Sequence, residues 1–492
     1  MKQIFNPYLP LNKCIPDAEP HVFGDRVYIY GSQDREGGTT FCELDYEVWS
    51  APVTDLTDWR CDGVIYKATQ DKYYGKDNCT YMYAPDVVQG NDGRYYLYYC
   101  TSGEYGHGGY FGAISVAVCD TPAGKFEFYG CVKHPDGSLL DKYITFDPGL
   151  MNDNGKIYLY YGAGEFINFN TLKAKPFMKK IYSTMYNKTM AEIKSDKLRI
   201  FGANCVELED DMLTVKSDIK RIVPSRGDIK KNNPYYNHGF FEAASMRKFN
   251  DTYYFVYSDQ NSHTLCYSTS KYPDRDFEYR GVLVSNGDVF FEGKKAEDAV
   301  ATMGNIHGGI EYLNGEYYIF YHRMTHNTQF SRQACAEKIT MDENGLFSQV
   351  QITSCGLNGK ALVGKGEYPS PICCHLTNGK MKMASWKGET ITMITHSENE
   401  QFITAIENGT IVGFKYFDLS DTKNVSICIR GSGSGKVIVS NDEEIGEITI
   451  NPSEKWTWFS TDIAKNDKNT NCPLYFTFNI TGTVEFLSIK FD

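Results

Sequence analysis

Five stretches of this chain repeat one pattern, a tight turn followed by a strand of alternating aromatic residues. They read GDRVYIYGS from Gly24, DGRYYLYYC from Asp92, NGKIYLYYG from Asn154, NDTYYFVYS from Asn250 and NGEYYIFYH from Asn314. Aligned on the turn, each places a tyrosine at one position: Tyr28, Tyr96, Tyr158, Tyr254 and Tyr318. Asn-Gly or Asp-Gly ahead of alternating aromatics marks a β-hairpin. Three copies carry a second pattern, small alternating residues, then a turn, then an aromatic, as in SVAVCDTPAGKF. The tyrosines are spaced by 68, 62, 96 and 64 residues. Units of this size with four strands each describe a five-bladed β-propeller. The long third spacing predicts an insertion at roughly residues 163–236, its lysine-rich part a solvated loop or short helix.

Ten to twelve residues before each tyrosine stands an ionisable residue: Asp17, Asp86, Asp147, Glu242 and His307. The first strand of a propeller blade lines the central channel, so equivalent positions face a common axis. Turn chemistry accounts for any one of these acids alone, since Asp-Pro and Pro-Asp pairs are ordinary in turns. It does not account for five at one repeat offset. Crowded carboxyls push one another's pKa values upward, which leaves one protonated while another stays ionised.

That division of protonation suits glycoside hydrolysis, in which one carboxyl protonates the leaving oxygen and another activates water or attacks the anomeric carbon. Glu242, between Phe240–Phe241 and Ala243–Ala244, is the better acid, because desolvation raises its pKa. Asp17 lies near Glu19 and His21 in a more polar setting and is expected to stay ionised as the base. Asp147 is then the third party, holding Glu242 in place and keeping its pKa high. Tyr83, Phe146 and Phe241 flank the ring and could stack on sugar faces.

Composition narrows the partners. A net charge of −12 argues against nucleic acid and anionic membranes and fits a small, neutral oligosaccharide. No run of 18 apolar residues occurs, so no membrane span is expected. The opening MKQIFNPYLPLNKC lacks a signal-type apolar run. Fifteen scattered cysteines without a CxxC read as reduced thiols, giving an expected cytoplasmic location. Oligomeric state is not encoded in any readable feature.

The segments PDAEP, YAPD, FDPG and FFEA, each ahead of a tyrosine-rich strand, resemble the family-43 glycoside hydrolases over about residues 1–350. The resemblance implies a five-bladed propeller that cleaves with inversion, acting as a β-xylosidase, α-L-arabinofuranosidase or arabinanase. It implies Asp17 as general base, Asp147 as pKa modulator and Glu242 as general acid. Asp86 and His307, from the ring, are read as substrate contacts; Arg332 is similar to a family arginine that hydrogen-bonds substrate hydroxyls, and is read alternatively as a surface ion pair. His307 is similar to a channel histidine that in some members lies near calcium, although no cofactor is required by the reading. Many members continue from the acid as Glu-Gly-Pro, whereas Ala243 and Ala244 follow Glu242 here, which leaves xylose and arabinose undistinguished. The expected activity is exo-acting release of either sugar; the alternatives are an endo-arabinanase and a catalytically silent sugar-binding propeller.

A connector is read at residues 351–370, followed at 371–492 by short alternating strands that predict a β-sandwich of the jelly-roll type. The chain is therefore expected to be all-β. GTIVGFKYFDL, KWTWFSTDI and LYFTFNITGTVEFLSIKF resemble the family-6 carbohydrate-binding modules. The last strand lacks the asparagine of sugar-binding members, which favours packing against the propeller over retained binding. Of Trp456 and Trp458, one is expected to face the core.

Overall fold

The aromatic repeat forms the second strand in each of five antiparallel sheets. The computed structural model describes residues 2–73, 81–101, 112–165, 180, 183, 189–195, 200–326, 328–384, 391–397, 400–464 and 469–492. The first sheet is β1 (Glu19–Phe23), β2 (Arg26–Tyr30), β3 (Tyr46–Pro52) and β4 (Arg60–Tyr66). The second is β5 (Met82–Gln89), β6 (Tyr95–Thr101), β7 (Ser115–Cys119) and β8 (Glu127–Cys131). The third is β9 (Gly149–Asp153), β10 (Lys156–Ala163), β11 (Gly202–Leu208) and β12 (Lys220–Pro224). The fourth is β13 (Phe240–Phe249), β14 (Thr252–Asp259), β15 (Thr264–Ser270) and β16 (Glu278–Ser285). The fifth has three strands, β17 (Ile310–Leu313), β18 (Glu316–Met324) and β19 (Arg332–Ile339). The turns explain the Asn-Gly pairs: Asn154 and Gly155 sit at φ 53° and 89°, Asn314 and Gly315 at 49° and 86°. Two successive positive φ angles give the hairpin the twist of its strands.

The repeated tyrosines join one sheet to the next. Tyr28 shares a buried cluster with Val87 and Leu97 of the second sheet. Tyr96 does so with Leu150 and Leu159 of the third, and Tyr158 with Met246 and Phe255 of the fourth. Tyr254 meets Ile310 and Ile319 of the fifth, and Tyr318 returns to Val27 and Ile29 of the first. Five interfaces in a circle make a closed five-bladed propeller, in which no sheet buries its apolar faces alone.

Residues near the N-terminus lock the ring at the fifth blade. The Tyr8 amide donates to Ala334 O at 3.2 Å. The fully buried Asn6 side chain donates to Ala336 O, Glu337 Oε1 and Thr353 O, and accepts from the Ala336 amide.

The insertion expected at 163–236 is shorter than the spacing suggested. It contains β11 and β12, the outer strands of the third blade, whose sequences GANCVEL and KRIVP carry no aromatic alternation. The extra chain lies instead between β10 and β11. There α1 (Met190–Ser195) is described, and most of the lysine-rich stretch falls outside the described residues.

After the propeller, twelve strands among the described residues pair into two sheets. One contains β20 (Leu362–Val363), β22 (His375–Thr377), β25 (Ile411–Asp418), β27 (Ser434–Ser440), β28 (Glu444–Ile450) and β30 (Cys472–Thr481). The other contains β21 (Gly366–Pro369), β23 (Met393–Ser397), β24 (Glu400–Ile406), β26 (Asn424–Gly431), β29 (Ser453–Asp462) and β31 (Val484–Phe491). They close over a core that includes Phe414, Phe476, Phe478, Phe486 and Ile427, a β-sandwich. Strands β20 and β21 lie within the stretch read as a connector. The expectation for the tryptophans is corrected. Trp456 and Trp458 are two apart, so both share the outer face of β29; Trp458 is 42 % exposed, while Trp456 packs on Phe402 and Arg430.

The sandwich docks through apolar packing, as of Met303 against Met381, and through polar contacts. Lys415 reaches Gln351 Oε1 at 3.0 Å, and the Ile394 amide donates to Thr325 O. Glu36 receives His326 at 2.9 Å and, from β23, His396 at 2.8 Å.

Replacing Asn6 by alanine strands several buried groups at once. Asn6→Ala is expected to lower stability by about 2–4 kcal/mol in urea denaturation. Lys2→Ala, which breaks an exposed pair with Asp58, should change it by less than about 1 kcal/mol.

Candidate active site

Four of the five ring residues, the acids, arrive at the channel on or beside strained backbone. Asp17 and Asp147 adopt left-handed φ angles of 57° and 47°, just ahead of β1 and β9. Beside the other two acids the strain falls on a neighbour: Ala243 at 68° after Glu242, and Ala84 at 35° before Asp86. Strands β13 and β5 shift register at these points. Such bulges re-aim side chains, at a cost that a surrounding fold must impose. Gly149, in FDPG, has no room for a Cβ because the Ala244 carbonyl lies against it. That contact sets the third blade's first strand against the fourth's.

Asp17, Asp147 and His307 are buried, while Glu242 is half-buried and opens towards the channel. Asp147 Oδ2 accepts the Ala243 amide at 3.0 Å and lies 3.7 Å from His307 Nδ1. It is thereby tied to the residue that follows Glu242. Among the described residues the Glu242 carboxyl has no hydrogen-bond partner. Burial, reinforced by the Asp17 charge and opposed by Arg332, pushes Glu242 up to about 8. Burial, then Glu242 and Asp17, also raise Asp147 well above its ordinary value. Glu242 therefore holds its proton at neutral pH, and Asp147 is displaced in the same direction.

Asp17 goes the other way. Burial alone would raise it, but the Arg332 guanidinium, the histidines and Ser32 outweigh burial and hold it below the usual range. Arg332 Nη1 lies 3.0 Å from Asp17 Oδ1, while Nε and Nη2 form a fork to Asp34 at 2.9 and 3.0 Å. Its face covers Phe41 at 4.8 Å. His322 Nδ1 accepts the Asp17 amide, leaving Nε2 to donate to Asn305 O. Burial and Arg332 lower His322 to about 3, so at neutral pH Arg332 supplies the compensating charge.

The sequence left Arg332 between a surface ion pair and a sugar contact; the structure makes it a buried ion pair. Asp86 belongs to a second group in the channel. Its oxygens accept the Val87 and Leu150 amides at 2.7 and 2.6 Å and meet His21 Nε2 at 2.5 Å. Nearby, Glu19 pairs with Arg247 at 2.9 Å. Asp86 thus spends its carboxylate on the fold. Tyr83 and Phe146 pack edge to face with centroids 6.0 Å apart, and Phe241 is buried in β13. Asp34 and His322 were not foreseen. The aligned repeat ends in Ser32, Cys100, Gly162, Ser258 and His322, so one histidine at an otherwise small position was the signal available.

Calcium takes six to eight oxygens. Around His307 the described residues offer one imidazole and one carboxylate oxygen at 3.7 Å, and Arg332 is near enough to lower the histidine's pKa further after burial. That donor set does not fit a protein-built calcium site. Two other groups, His238–Asp259–Cys266 and Glu19–His21–Asp86, place three ligand-type atoms within 4.8 Å of one another.

Comparison with known proteins agrees with this fold and chemistry. The chain is 42% identical to a xylosidase/arabinosidase of Thermoclostridium stercorarium, over 99% of this chain and 98% of that protein. It is 27% identical to xylosidase/arabinosidase 43A of Humicola insolens, over 68% of this chain and 97% of that one. A solved β-xylosidase/α-arabinofuranosidase from a compost microbial metagenome, in complex with xylotriose and calcium-free, superposes with a TM-score of 0.52. It shares 26% identity and covers 70% of this chain and 96% of its own. Residues 6–347 match the glycosyl hydrolases family 43. The chain is a glycoside hydrolase and belongs to that family.

Proposed function

We propose that this enzyme releases terminal xylose and arabinose from short xylo- and arabino-oligosaccharides by a single displacement that inverts the anomeric carbon. The observation that carries this reading is the opposed settings of two carboxyls around one channel: Asp17 is paired with Arg332 and held low, while Glu242 is unpaired among the described residues and raised by burial. Glu242 gives its proton to the glycosidic oxygen, so the departing sugar leaves as a neutral alcohol. Asp17 takes a proton from water as that water attacks the anomeric carbon from the opposite face. Asp147, bonded to the Ala243 amide, fixes the strand that carries the acid. His307 orders the space between Asp147 and Asp17. Arg332 is a positioning residue that keeps the base charged. Tyr83, Phe146 and Phe241 form the apolar flank for a sugar ring.

Dual specificity is supported by the relative from Thermoclostridium stercorarium, which is named for both sugars and aligns end to end. All fourteen described cysteines are free thiols and most are buried, which supports work in a reducing compartment on imported oligosaccharides. The sandwich acts as a docked partner of the propeller, through Lys415, Ile394 and the Glu36 contacts. Two carboxyls and water are sufficient for the reaction as written, so no resident cofactor enters it.

Three experiments test this reading. Both 4-nitrophenyl β-D-xylopyranoside and 4-nitrophenyl α-L-arabinofuranoside should be hydrolysed, and Asp17→Asn should remove both activities by a factor of about 10³ or more. Glu242→Gln should spare the activated nitrophenyl glycosides far more than xylobiose, whose leaving group needs the proton. Equal loss on both substrate types would remove Glu242 as the acid. Dialysis against a strong chelator should leave xylobiose hydrolysis within twofold of its starting rate; a collapse restored by calcium would place a metal in the site.

A further inference from the structure

Arg323 sits one residue beyond His322 on β18 and therefore points away from the catalytic channel, into the seam between propeller and sandwich. It is 3 % exposed. Nη2 donates to Cys373 O at 2.9 Å. Nη1 is buried with no hydrogen-bond partner among the described residues. A guanidinium cannot shed its proton to escape burial, and buried charges are ordinarily paired. No described carboxylate lies within ion-pair distance of it, and the one that senses its charge is pushed up to about 8 by burial and is mostly protonated at neutral pH. Glu337, on the neighbouring β19, is already engaged by Asn6 at 2.9 Å, the Thr353 amide at 2.8 Å, Thr353 Oγ1 at 2.6 Å and Tyr321 at 3.0 Å.

Arg323 lines a cavity shared by both domains. Thr302 and Thr325 border it from the propeller, Cys374 and Thr392 from the sandwich side. It offers about 20 Å³ to the centre of a water-sized sphere, which is room for one water-sized particle and no polyatomic anion. Thr392 is 2 % exposed, and its Oγ1 is a second buried group without a partner. Two orphaned polar groups, one of them cationic, therefore border a space of one-particle size. Water would satisfy the hydrogen bonds but leave the charge uncompensated.

We propose that this cavity is a halide site, in which a single chloride accepts hydrogen bonds from Arg323 Nη1 and Thr392 Oγ1 and binds the sandwich to the propeller. The ion replaces the carboxylate that the seam does not provide. Because it touches both domains, its loading stabilises their docking and raises thermal stability by mass action. It lies on the opposite face of β18 from His322 and takes no part in the hydrolytic step.

The test is thermal unfolding of the full chain in sodium chloride, sodium bromide or sodium gluconate at one ionic strength, together with a crystal grown in bromide. Expected are a Tm that rises with halide and not with gluconate, a weaker response in Thr392→Val, and none in Arg323→Met. Bromide anomalous density should lie within hydrogen-bond reach of both side chains. Water alone in the cavity, or identical Tm in the three salts, would overturn the proposal. Bromide density without any halide-specific Tm response would mean an adventitious ion only. Should Arg323→Met fail to fold, Thr392→Val and the bromide crystal still decide the matter.

Discussion

The arrangement at the channel depends on one buried cation. Arg332 enters from the fifth blade and is gripped by Asp34 of the first, 298 residues away in sequence. Its remaining arm meets Asp17 at 3.0 Å. Without a fixed positive charge, three carboxyls in one buried space would all be driven towards the neutral form. With it, the acid nearest the guanidinium stays charged. That charge in turn raises Asp147 and Glu242. One ion pair thus sorts three similar side chains into different protonation states.

The propeller supplies what the ion pair cannot, which is position. Each ring residue is delivered by a separate blade, and the left-handed angles at Asp17, Asp147 and Ala243 persist only because the blades fix both ends of each segment. The tyrosine interfaces make that fixation mutual. The sandwich extends the same logic, since Glu36 lies two residues from Asp34 and is held by His396 of β23. The docked module therefore braces the loop that carries the partner of Arg332.

Much of this was legible in the sequence because it repeats. The turn-plus-aromatic motif fixed the number of blades, and a constant offset pointed to Asp17, Asp86, Asp147, Glu242 and His307. Charge sorting was partly legible: apolar flanks marked Glu242 as the group to be raised. What stayed hidden were contacts with no local signature. The pairing of Arg332 with Asp34 joins neighbouring blades from nearly opposite ends of the propeller sequence, and β11 and β12 lack the alternation that betrays the other strands. Asp86 fits the repeat offset yet is engaged by backbone amides, because an offset gives direction into the channel and not depth along it. Trp456 and Trp458 were misjudged on simple parity, since residues two apart on a strand share a face.

The most direct measurement is the pH dependence of kcat/KM for the unaltered chain on xylobiose, which reports the free enzyme's essential base and acid. Asp17 held low by Arg332, and Glu242 raised to about 8, predict a broad bell. Its acid limb lies below the ordinary carboxylate value of about 4, and activity falls on the alkaline side near pH 8 as Glu242 loses its proton. A profile whose alkaline side already declines at about pH 4–5, the range of an ordinary carboxylate, would contradict this sorting of charges.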